Sequence, residues 1–109
     1  MANRHRGEIE AELGGRKRVL VLTLGALAEL ETAFGAEDMV ALAERFGAGR
    51  MTARDLTRII AAGLRGAGEG VSDDEVAAMT VPDGAQGYVR IAAALIAVTF
   101  GGNDDGGEV

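Results

Sequence analysis

The chain holds one histidine, His5, one serine, Ser72, and no cysteine. The side chains that most often act as neutral-pH base, alkoxide or thiolate are therefore almost missing. His5 lies in the charged N-terminal stretch MANRHRGEIE, and one imidazole completes neither a triad nor a metal set. Ser72 stands three residues before Glu75 in VSDDEV. That is the spacing of a helix-opening capping box, which accounts for the serine. Asp73 and Asp74 are adjacent carboxylates of the kind that binds hard cations. At a helix start they also match the positive end of the dipole, which explains them without a metal. Seventeen glycines raise the question of a phosphate loop, yet no G-x-x-x-x-G-K-[ST] run occurs and no G-x-G-x-x-G joins a strand to a helix. No catalytic, cofactor-binding or metal-ligating residue is assigned, and the chain reads as a non-enzyme without a small-molecule substrate.

The charges that do form a pattern are arginines. Arg50, Arg54, Arg58 and Arg65 line one side of a candidate helix, with 54, 58 and 65 four and seven apart. On a chain of net charge −6 this strip has two readings. It is a solvated face paired with neighbouring carboxylates, or Arg54, Arg58 and Arg65 dock an acidic partner. Nucleic acid ranks last, because the acidic balance repels phosphates and no aromatic residues interleave for stacking.

The elements that carry these residues follow from periodicity. EIEAEL alternates, with Ile9, Ala11 and Leu13 on one face and Glu8, Glu10 and Glu12 on the other. Gly14-Gly15 suits a two-residue turn, and RKRVLVL returns as a second strand. Leu13 then faces Arg16, Glu12 faces Lys17 and Ile9 faces Leu20, which makes Glu12–Lys17 an opposite-charge pair. Thr23 caps a helix over 24–34 with Leu27, Leu30 and Phe34 inward, and Gly35 stops it. A short helix over 37–46 has Glu37 and Asp38 in its first turn and Met39, Leu42 and Phe46 as its apolar stripe, with Gly47 at its end. Thr52 with Asp55, and Ser72 with Glu75, open the third and fourth helices. The third carries Leu56, Ile59, Ile60 and Leu64 at core spacing. Asp83, with Gln86 three residues on, is expected to cap a last helix that runs to about Phe100. The fold class is mainly α with an N-terminal β-hairpin (α+β): two antiparallel strands, then about five helices in a compact bundle.

That last helix contains YVRIAAALIAVTF, with one charge in thirteen positions. Tyr88, Ile91, Ala92, Leu95 and Thr99 fall on one face; Val89, Ala93, Ile96 and Phe100 fall on another. A surface helix needs one apolar stripe. Two stripes place it either at the centre of the bundle or against another protein. Ile96 and Phe100, with Leu95 or Val98, are the candidate partner or self-interface. The stretch is too short for a membrane span, which takes about 20 residues.

At 109 residues the chain is one domain. Its organisation reads as a flexible N-terminus over 1–6, the hairpin-plus-bundle domain over 7–100, and a disordered acidic, glycine-rich tail over 101–109. The charged N-terminus lacks the apolar segment of a signal peptide, and the absence of cysteine suits a reducing cytoplasm.

LTLGALAELETAFG directly after the hairpin, then LAERF, TARDLTRIIAAGLRGAG and VSDDEVAAM, make an ordered combination. It resembles the small tail proteins of gene transfer agents, phage-like particles of α-proteobacteria, a family labelled phage tail tube protein. The similarity spans about Arg6 to Phe100. The hairpin followed by L-x-A-L-x-E-L-E is also similar to the tail assembly chaperones of long-tailed phages. The resemblance implies a structural or assembly role in a tail and carries no active-site residues. It implies protein partners, either tape-measure or tail tube proteins or further copies of the chain, with no specific nucleic acid and no membrane. It implies a bacterial cytoplasmic location during assembly and, for a permanent component, a place in the released tail. Three readings follow: an assembly factor, a permanent structural tail component, and a generic interaction module.

Overall fold

The alternation of EIEAEL and the paired glycines produce the first element. β1 (Glu8–Leu13) and β2 (Arg16–Val21) form an antiparallel hairpin with Leu13 opposite Arg16, Glu12 opposite Lys17 and Ile9 opposite Leu20. Gly14 and Gly15 have φ of 62° and 88°, the doubly left-handed turn whose twist matches that of the flanking strands. A computed structural model describes residues 2–47 and 50–101. The tail expected over 102–109 lies outside the described residues. Five helices follow the two strands: α1 (Leu24–Phe34), α2 (Met39–Gly47), α3 (Ala53–Gly66), α4 (Asp73–Ala77) and α5 (Gly84–Ile96), the last continued by a π-helical turn over Ala97–Gly101. The architecture is α+β and mainly helical.

α1, α3 and α4 each start on a local side-chain cap. Thr23 Oγ1 accepts the Ala26 amide at 3.1 Å. Thr52 and Asp55 form a complete capping box, with both reciprocal bonds at 3.0 Å. Ser72 and Glu75 form another, at 3.1 and 2.8 Å. α3 lies at the centre. Ile59, Ile60, Ala61, Ala62, Gly63 and Leu64 are all buried in succession, so the helix is covered on every side. Leu56 is only half-buried and packs at the margin of the core. Small residues allow this enclosure. A Cβ on Gly63 would stand 2.6 Å from Leu95 Cδ2 and 3.2 Å from Leu20 Cβ, and one on Gly66 would overlap the Val21 carbonyl oxygen. Helix and strand thus meet backbone to backbone.

Two helix starts differ from expectation. α2 begins at Met39, and Asp38 stands before it as a cap, its Oδ1 accepting the Ala41 amide at 2.8 Å. Met39 is then the first helical residue and stands 43% exposed at the open end of the stripe, while Leu42 and Phe46 are buried. Asp83 does not cap α5 through its side chain. Its φ of 69° places it in the left-handed region, which aims the carboxylate away from the helix amides, and it pairs with Arg90 at 2.6 Å instead. At the N-terminus, Arg4–Arg6 form one 3₁₀ turn capped by Asn3, an element the sequence pattern does not announce.

Candidate functional site

α5 answers to both of its stripes. Ala92 and Leu95 of the first stripe have no exposed surface, so that stripe lies in the core beside α3, and Ile96 of the second stripe is 9% exposed and also reaches it. Val89 is 40% exposed, and Ala93 and Ala97 are exposed as well. The second stripe therefore borders solvent. Beside it runs a groove of about 390 Å³ between α5 and α2, walled by Ala43 and Gly47 on one side and Ala93, Ala97 and Phe100 on the other. Phe46 and Ile96 form its floor and Met51 adds to the lining. Every lining side chain among the described residues is apolar.

The floor is fixed from behind. The Phe34 and Phe46 rings meet edge-to-face, 5.1 Å apart at 77°. The Arg45 guanidinium lies 4.9 Å from the Phe34 centroid and 5.7 Å from that of Phe46. Asp55, itself buried, approaches the same guanidinium at 3.4 Å. The ends of α1 and α2 and the start of α3 are thereby tied together under the groove.

Of the four positions expected at an interface on α5, Ile96 and Phe100 line the groove, Val98 is half-buried against the core, and Leu95 is enclosed and offers no surface. The helix must bury one stripe to stay attached to α3, and Leu95 belongs to that stripe. The arginine strip is apart from the groove. Arg58 approaches Asp73 at 3.8 Å. Arg65 reaches Asp73 at 3.2 Å, donates to the Val71 carbonyl at 2.8 Å and pairs with Glu29. Burial pulls the Arg65 pKa down, but the Glu29 and Asp73 carboxylates outweigh it and raise it above the ordinary arginine value. Arg54 is exposed and makes no ion pair among the described residues. The strip therefore ties α3 to α1 and α4 through Arg58 and Arg65, while Arg50, which precedes the helix, is exposed like Arg54 and forms no ion pair among the described residues.

The α2 wall is what sequence reasoning missed. Its signal was available: Val40, Ala43 and Gly47 are spaced i, i+3, i+7 on one helix face, and Val40 is 66% exposed. Among the described residues no group of three or more His, Cys, Asp or Glu side chains is placed to hold a metal. The segment Gly84–Gly101 has 18 residues and a mean hydropathy of 1.2, which by length and composition alone is enough to cross a membrane; here Ala92, Leu95 and Ile96 within it are buried in the core of the fold.

Compared with known families, the chain matches the one described as phage tail tube protein, GTA-gp10, over residues 6–102. No curated protein and no solved structure matches it significantly. The match covers the hairpin, all five helices and the groove between α2 and α5, so this chain belongs to the GTA-gp10 phage tail tube protein family and is a tail protein of the gene transfer agent type.

Proposed function

We infer that the protein acts while the tail is being built, by binding tape-measure or tail tube proteins through the groove between α2 and α5. The observation that carries this reading is the set of exposed apolar positions Val89, Ala93 and Ala97, beside a groove with no polar side chain in its lining among the described residues. Such a surface suits the apolar face of a partner helix. Each partner side chain buried there contributes about 1.5–3 kcal/mol, enough for coating that can be reversed. The two-stranded sheet supports the same reading, since a mainly helical chain has little sheet with which to close a tube wall. The place of action is then the bacterial cytoplasm.

Co-expression with the tape-measure protein of the same particle tests this. The wild-type chain should co-purify with it. Ala93→Glu and Ala97→Glu, both at exposed positions, should keep the helical circular dichroism and lose at least tenfold in association. Undiminished association of both variants would remove the groove from the interaction. The family's description favours a second reading, a permanent part of the tail. Mass spectrometry of purified particles separates the two, because an assembly factor is scarce there and a tube subunit abundant. The family match gives a generic module unrelated to tails no support.

A further inference from the structure

We propose that the outer edge of β1 accepts, as a third strand, an extended segment of a partner protein in which Lys or Arg alternates with apolar residues. Among the described residues β1 pairs with β2 alone, so one of its sides has no strand beside it. The turn determines which groups that side presents. In a hairpin closed by two residues, the pair flanking the turn exchanges both main-chain bonds, and the pattern then alternates. Leu13, Ala11 and Ile9 therefore spend their main-chain groups on β2, and Glu12, Glu10 and Glu8 turn theirs outward. The Glu8 amide shows the phase, since it donates outward to the Asn3 carbonyl at 3.0 Å. The outward N–H and C=O groups of Glu10 and Glu12 have no main-chain partner among the described residues.

Room exists for one. A groove of about 560 Å³ is lined by five consecutive residues, Glu8 to Glu12, and across from them by Gly87, Ile91 and Ala94 of α5. Neighbouring side chains of a strand point to opposite faces. Five in a row share a groove only along the strand's edge. A strand laid there would meet the main-chain groups of Glu10 and Glu12. Its alternate side chains would stand beside the three glutamates on one face and over Ala11, Ile91 and Ala94 on the other.

Charge selects the occupant. Glu10 and Glu12 are exposed, and Glu10 faces Val19 across the hairpin, not a cation. On the far wall Arg90 is engaged by Asp83, which leaves Arg4 as the other cation in the lining. Carboxylates thus outnumber cations around the groove. A second copy of β1 would set glutamate beside glutamate, which is repulsive, and charged edges of this kind oppose self-pairing. A strand with Lys or Arg at every second position meets both requirements.

The test titrates the full chain, labelled with nitrogen-15, with three pentapeptides: Lys-Val-Lys-Val-Lys, Glu-Val-Glu-Val-Glu and the rearranged Lys-Lys-Lys-Val-Val. The first should bind at least tenfold more tightly than the second and severalfold more tightly than the third, and should slow exchange of the Glu10 and Glu12 amides. The double variant Glu10→Lys, Glu12→Lys should reverse the order of the first two. Glu10→Pro removes an outward amide and no hairpin bond, so it should weaken binding at least tenfold with an unchanged circular dichroism spectrum. If that variant unfolds, protection of the two wild-type amides decides alone. Equal binding of the rearranged peptide would reduce the site to nonspecific charge, and shifts centred on Ala93 and Ala97 would place the peptide in the other groove. Either result, or no binding at millimolar peptide, overturns the proposal.

Discussion

Gly63 has no side chain, yet few positions are more constrained. Adding one methyl group there drives a Cβ to 2.6 Å from Leu95 Cδ2, with Leu20 behind it. Gly63→Ala should therefore cost about 1–3 kcal/mol of stability by overpacking, even though alanine favours helix over glycine by about 1 kcal/mol; urea denaturation reads the sum. Hydropathy patterns do not reveal such a position, because it matters for what is missing. Arg65 is the opposite case, a long side chain visible in the sequence as one of a strip. What the spacing does not reveal is its tie to Glu29, 36 positions away. Its raised pKa gives a signed expectation. A raised folded-state pKa contributes stability that is complete below the unfolded-state value and lost only as pH climbs through the folded-state one. For an arginine both lie in strong alkali. Arg65→Gln should cost about 1 kcal/mol and the same amount at pH 7 and pH 10, measured by denaturant midpoint at both.

At the scale of elements, local signals were legible where they act alone. The hairpin register follows from turn length and alternation, since a one-residue slip would turn Ile9, Leu13 and Leu20 to solvent. The boundaries of α1 and both capping boxes also appear as the residues imply. Legibility failed where a neighbouring turn overrules the cap. Thr52 and Asp83 both read as helix caps, and the backbone separates them: Thr52 is extended, with φ of −80°, and Asp83 is left-handed, with φ of 69°. Thr52→Ala should cost about 1 kcal/mol. Asp83→Asn should change stability by less than about 0.5 kcal/mol, because asparagine keeps the left-handed conformation and only an exposed pair with Arg90 is lost. Thermal melts of the two variants side by side make the comparison. Met39 was misplaced for a different reason. The phase of α2 is as expected, with Leu42 and Phe46 buried, but the helix opens at Met39, whose end of the stripe lies beyond the cover of the core.

Across the whole molecule, the order of burial was harder to read than the elements. The apolar density of α5 suggests the centre of the bundle, but α3 occupies it, because Ala61, Ala62 and Gly63 let neighbours close in from all sides. Bulk draws attention in a sequence, whereas enclosure depends on its absence. Native-state amide exchange should accordingly be slowest over Ile59–Leu64, approaching the rate of global unfolding, and fast over residues 2–7 and at the start of α2. Uniform exchange across α3 and α5 would deny α3 that role. The groove of α5 was half legible: its own residues announce it, and the α2 wall arises only when the chain folds. The contact of Gly66 with the Val21 carbonyl has a mechanical consequence. Helix and strand butt together with no side chain between them to bend or rotate, so the hairpin cannot swing relative to the bundle. A visitor to its margin meets a ledge already set in place, and little entropy is surrendered in shaping it.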